Sequence, residues 1–155
     1  MKAAAAAATA SPFAQAYGGR VWSLMSWDQL AAFWARVDAA AGWYVYMLGE
    51  PLPTAPADAT AVAEFIVRID ALLRSDHHES YCGIVYADDI DAPTLVKIFD
   101  PNNLGSSCGS SKHPPGPGWV LSRQPPDALP PPRVLPEARR RWWREGLAAG
   151  VRATA

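Results

Sequence analysis

Residues 59–78, ATAVAEFIVRIDALLRSDHH, restrict the fold more than any other part of the chain. Val62, Phe65, Ile66, Ile69, Leu72 and Leu73 recur at helical spacing and form one wide apolar stripe. Glu64 precedes Arg68 by four residues and Asp70 precedes Arg74 by four, the favourable order for ion pairs along a helix. Asp58 or Thr60 is placed to cap the start. His77 and His78 fall at the end, where the partial negative charge suits them. Such a helix needs an apolar layer to pack against, and the rest of the chain has to supply it.

Short strands are the expected layer. WYVYML at 43–48 is aromatic and β-branched. YCGIVYA at 81–87 is apolar on both faces and reads as an interior strand. TLVKIF at 94–99 follows the acidic turn DDIDAP, so these two segments predict an antiparallel hairpin. WVLS at 119–122, bounded by Gly118 and Pro125, is a fourth strand. A second helix is predicted over 26–41. Ser26 caps it with Gln29 three residues on, Trp27, Leu30, Trp34, Val37 and Ala41 make its stripe, Phe33 widens that stripe, and Gly42 is placed to stop it. Strands and helices do not alternate strictly. The expected class is α+β, with a small antiparallel or mixed sheet of about four strands and two helices packed on it. The core should set Phe65, Ile66, Ile69 and Leu73 against Ile84 and Ile98.

At 155 residues the chain fits one domain, expected over 21–124. Residues 1–20 read as a disordered Ala-rich leader. Lys2 and the Ala14-Gln15-Ala16 triplet resemble a secretory signal, but the Ala run lacks Leu, Ile, Val and Phe and is too weakly apolar for that role. No run approaches the ~20 apolar residues of a membrane span. A formal net charge of −1 gives no field toward nucleic acid or an acidic membrane. A cytoplasmic protein is expected, with no specific nucleic-acid partner and no membrane span. Residues 125–136 form a Pro-rich connector, and 137–150 a basic helix with Pro136 in its first turn and Gly150 past its end.

The stretch DPNNLGSSCGSSKH, from residue 100, approaches several known site patterns. As a calcium loop it fails, because Leu104 stands where an oxygen ligand is needed and Ser111 where the bidentate Glu belongs. As a phosphate loop it fails, because Lys112 does not follow a Gly and prolines, rather than a helix, come next. GSSCG satisfies the nucleophile-elbow pattern around Ser107, but no helix follows to expose the hydroxyl. Its Asn, Asp, Gly and Ser suit a long structural turn. The density of polar groups also makes Asp100, Asn102, Asn103, Ser107 and Cys108 a candidate recognition surface.

Two cysteines are too few for a disulfide scaffold. His77-x4-Cys82 and Cys108-x4-His113 repeat one spacing, so His77, Cys82, Cys108 and His113 are a candidate zinc set. The enzyme variant makes Cys108 a nucleophile with His77, His78 or His113 as base. Zinc is the one cofactor these residues suggest. In the tail, RRRWWR offers Arg140, Trp142, Trp143 and Arg144 as a candidate partner-binding face. Alternatively Trp142 and Leu135, seven apart, dock the helix on its own domain while the Arg stems cover the edge. No catalytic template emerges. The expectation is a small bacterial accessory or binding protein acting through a protein partner, with a Cys/His metal-binding or thiol-dependent protein as the alternative.

Overall fold

A computed structural model of the chain describes residues 10–102, 116–132 and 134–146. Among these, four helices and a five-stranded sheet form in the order α1 (Pro12–Tyr17), β1 (Trp22–Ser23), α2 (Trp27–Arg36), β2 (Tyr44–Met47), α3 (Ala59–Asp76), β3 (Val85–Ala87), β4 (Leu95–Ile98), β5 (Trp119–Ser122) and α4 (Glu137–Gly146). The fold is α+β. The strands lie in the order β1-β3-β4-β5-β2, and each neighbouring pair is antiparallel. The fifth strand is the difference from the sequence expectation. β1 has two residues, too short to show an alternation, and it is held by Leu24 N–H donating to the Val85 carbonyl.

Register fixes which side chains share a face. Val85 stands opposite Ile98, Ile98 opposite Trp119, and Trp119 opposite Met47. All four are buried in the main core, where Phe65, Ile69 and Leu73 of α3 and Leu30, Phe33 and Trp34 of α2 meet them. The predicted core holds: Phe65, Ile69, Leu73 and Ile98 are fully buried and Ile84 is nearly so, while Ile66 packs against it half-buried.

The second face of the sheet is covered as well. Tyr46, Leu95 and Val120 point the other way and bury Phe13 of α1 between them, with Leu52 and Leu129 at the margin. Thus residues 12–17 are helical, where a disordered leader was expected to residue 20. Ser11 accepts a hydrogen bond from Ala14 N–H at 2.9 Å and Pro12 sits at the first helical position, both standard starts for a helix. One anchor in six residues gives no periodicity to read, so composition alone pointed to disorder.

α2 ends earlier than expected. Val37 already has extended backbone (φ −74, ψ 118), and Asp38 accepts Ala40 N–H through its side chain and Trp43 Nε1–H through its carbonyl. That local alternative to the helix ladder stops α2 at Arg36, six residues before Gly42. Gly42 instead turns the chain into β2 with φ +94.

The Pro-rich segment is a strap. Pro126 is buried, Asp127 accepts a hydrogen bond from the Ser11 hydroxyl, and Leu129 N–H donates to Tyr46 Oη at 3.2 Å. Further on, Leu135 crosses directly over Gly49, where a Cβ would lie 2.6 Å from Leu135 Cδ2. Gly49 is therefore required twice, by its φ of +95 and by this close approach. The strap carries α4 round the β2 side of the sheet to the end of the main core. No helix among the described residues is long and apolar enough to cross a membrane.

Candidate functional site

Those of the residues singled out in the sequence that are described gather at one end of the sheet, where β4 ends and α3 ends. Asp100 is buried and accepts two hydrogen bonds from Arg139 of α4, at 2.9 and 3.0 Å. The same guanidinium donates to Asp76 at 2.8 Å. Burial pulls the Arg139 pKa down, but the hydrogen bonds and charges of Asp100 and Asp76 more than reverse this and hold it above its ordinary value. Asp100 also accepts Asn102 N–H at 2.8 Å. Asp100 is thus committed to an internal ion pair and a turn, and Asn102 is exposed beside it. Asn103, Ser107, Cys108 and His113 lie outside the described residues.

The rest of α4 is held in the same manner. Glu50, buried at the tip of β2, accepts from Arg144 Nε at 2.9 Å and Nη2 at 3.0 Å. Arg140 lies 3.6 Å from the same carboxylate. The hydrogen bonds from Arg144 to Glu50 raise the Arg144 pKa. Trp143 is 4% exposed and meets Phe65 edge-on, while Trp142 packs edge-on against both Phe65 and Trp119. Trp142 and Leu135 do dock α4 on its own domain. Arg140, Trp142, Trp143 and Arg144, candidates for a partner, all make internal contacts. The acidic sockets Glu50, Asp76 and Asp100 had no sequence signal of their own, since each is far from its arginine along the chain. Trp119 is fully buried, and among the described residues its indole N–H has no acceptor.

His77 and Cys82 are neighbours but not through the sulfur. His77 Nε2 lies 2.9 Å from the Cys82 carbonyl. A carbonyl only accepts, so Nε2 carries the proton in this contact. Trp27 and Tyr81 pack edge-on against the ring. Cys82 is fully buried. Burial pushes its thiol up, only partly offset by hydrogen bonds from the Ile84, Val85 and Gly83 backbone, the opposite of the depressed pKa of a ligand or nucleophile. His78 is exposed. Among the described residues no group of three or more His, Cys, Asp or Glu is placed to hold a metal.

The opposite end of the sheet carries a half-open pocket of about 330 Å³, which the sequence did not reveal. It is lined by Arg36, Asp38, Ala41 and Trp43, by residues 91–94 of the β3–β4 turn, and by Arg123. The turn is tightly pinned. Asp88 accepts Thr94 N–H at 2.8 Å and Leu95 N–H at 3.0 Å, and Asp89 accepts Asp91 N–H at 2.9 Å and Ala92 N–H at 3.0 Å. The acidic run DDID is therefore a self-bonded turn that shapes the pocket.

Comparison with protein-family models, with curated proteins and with solved structures finds no match. Function has to be read from the chain's own residues.

Proposed function

We propose that this is a small bacterial accessory protein, non-catalytic and cytoplasmic, that acts by binding a protein partner. The observation that carries the reading is the β1 edge. β1 bonds β3 on one side and ends the strand order on the other. Trp22 on this strand, Met25 just after it, and Tyr81 beside it are each about half exposed, at 50, 53 and 50%. Met25 and Tyr81 are brought together by Cys82 N–H donating to the Met25 carbonyl at 2.7 Å. The two-residue length of β1 and the Arg20 guanidinium over Trp22 blunt it as a strand-pairing edge, so the reading rests on its side chains: Trp, Tyr and Met are the residue types enriched at protein interfaces. With the C-terminal tryptophans packed inside, this edge brings together three of the large apolar side chains exposed among the described residues.

The test is photocrosslinking in the native host from a photoreactive residue at position 22, with position 67, on exposed Val67 of α3, as control. A discrete adduct from 22, absent from 67 and lost in a Met25→Ser/Tyr81→Ser variant of unchanged Tm, is the expected result. No adduct, or the same adducts from both positions, overturns the reading.

A further inference from the structure

The geometry points to a second, small-molecule site: the pocket at the β3–β4 turn binds a small zwitterion, a compound with a carboxylate at one end and an ammonium at the other. Its lining sets two guanidinium groups, Arg36 and Arg123, and two carboxylates, Asp38 and Asp91, around one cavity. Among the described residues, neither arginine has a carboxylate within ion-pair distance, so the four charged residues line the cavity without closing into pairs with each other. This contrasts with the other end of the molecule, where the same residue types close into direct pairs.

The backbone segments that carry these groups are also held in place. Arg36 Nη1 reaches the Ile90 carbonyl at 3.4 Å, and Arg123 N–H donates to the Thr94 carbonyl at 2.9 Å. Asp91 sits in the turn fixed by Asp88 and Asp89, and the Asp38 carbonyl is tied to Trp43 Nε1–H at 2.8 Å. Walls fixed before binding lower the ordering cost of a ligand. Guanidinium groups favour a carboxylate by paired hydrogen bonds, and the facing aspartates favour an ammonium. The site's charges sum to zero, so a pure anion meets Asp38 and Asp91 unfavourably and a pure cation meets Arg36 and Arg123 unfavourably. A ligand carrying both charges satisfies both sets.

Amide chemical shifts of Ala92, Thr94 and Arg123 in the full-length protein report binding. The probes are glycine, β-alanine, 4-aminobutyrate and 6-aminohexanoate, a series of increasing charge separation, against acetate, hexanoate, methylamine and hexylamine. At least one zwitterion should give saturable shifts at roughly millimolar concentration, with the single-charge probes about tenfold weaker. Arg36→Gln and Asp91→Asn, both at exposed positions, should each weaken that zwitterion about tenfold with Tm unchanged. Three outcomes overturn the proposal: no zwitterion binds, a carboxylate or amine alone binds as well, or the variants bind like the parent.

Discussion

Arg139 places its Nε and Nη2 against the two carboxylate oxygens of Asp100, thirty-nine positions earlier in the chain, with both residues buried. The pair ties the last helix to the end of β4. With Asp76 on the same guanidinium, it leaves the buried cation fully partnered, and loss of either side strands a charge.

Arg139→Ala should therefore destabilise the protein by about 3–5 kcal/mol, the range for breaking a buried pair from one side. Arg139→Lys should recover little of this, because an ammonium cannot make the two parallel bonds. Urea unfolding of the three proteins measures both. A loss below about 1 kcal/mol for Arg139→Ala would place this pair among exposed bridges and mean that α4 docks through its tryptophans alone.

Phe13 gives a second test. Its ring is 1% exposed between the second sheet face and Tyr17, which it stacks on at 5.6 Å. Phe13→Ala should cost about 3 kcal/mol. An unchanged Tm would mean that α1 contributes no stability to that face.

These two residues mark where the sequence was legible and where it was not. α3 was readable because six apolar positions repeat with the helical period, and the β3–β4 hairpin because two apolar runs flank an acidic turn. The Asp100–Arg139 pair has no local pattern: an aspartate after a strand reads as a turn former, which Asp100 also is through Asn102. Phe13 sits in an alanine-rich run whose composition argues for disorder. The pocket draws on residues 36–43, 91–94 and 123, so its charges meet only after the sheet has formed. The double tryptophan was legible as a docking element or a partner face, and its contacts with Phe65 and Trp119, distant in sequence, put it on its own domain.

Lys97 should make stability depend on pH in a defined direction. Its ammonium lies 4.0 Å from the Tyr17 ring centroid on the second sheet face, with Tyr86 opposite it in register and no carboxylate in ion-pair range among the described residues. Burial lowers its pKa below the ordinary 10.5. The folded state then binds fewer protons at this site than the unfolded state between the two pKa values, so its contribution becomes more favourable as pH rises toward 10.5. Below the lowered pKa the penalty is present in full. Lys97→Met should raise Tm at neutral pH, and the gain should shrink as pH approaches 10.5. A lower Tm for the variant at neutral pH would mean that the contact with Tyr17 outweighs desolvation.

Cys82 decides between the partner reading and the metal or thiol alternative. Its sulfur is fully buried and its thiol is pushed up by that burial, so the reactive thiolate is scarce and inaccessible. The neighbouring His77 spends Nε2 on the Cys82 carbonyl. Iodoacetamide applied to native protein at about pH 6.5 and about pH 8.5, with and without chelator, should leave Cys82 unlabelled in all four samples and label it only after unfolding. Peptide mass mapping reads each cysteine separately. A zinc set of His77, Cys82, Cys108 and His113 predicts the reverse pattern: both cysteines protected until chelator removes a stoichiometric metal, then both labelled, with Tm falling in step, because metal affinity would be part of the folding free energy. A catalytic Cys108 predicts a third pattern, fast labelling of that residue alone at the lower pH, because a thiol that reacts there must be held as thiolate by its surroundings.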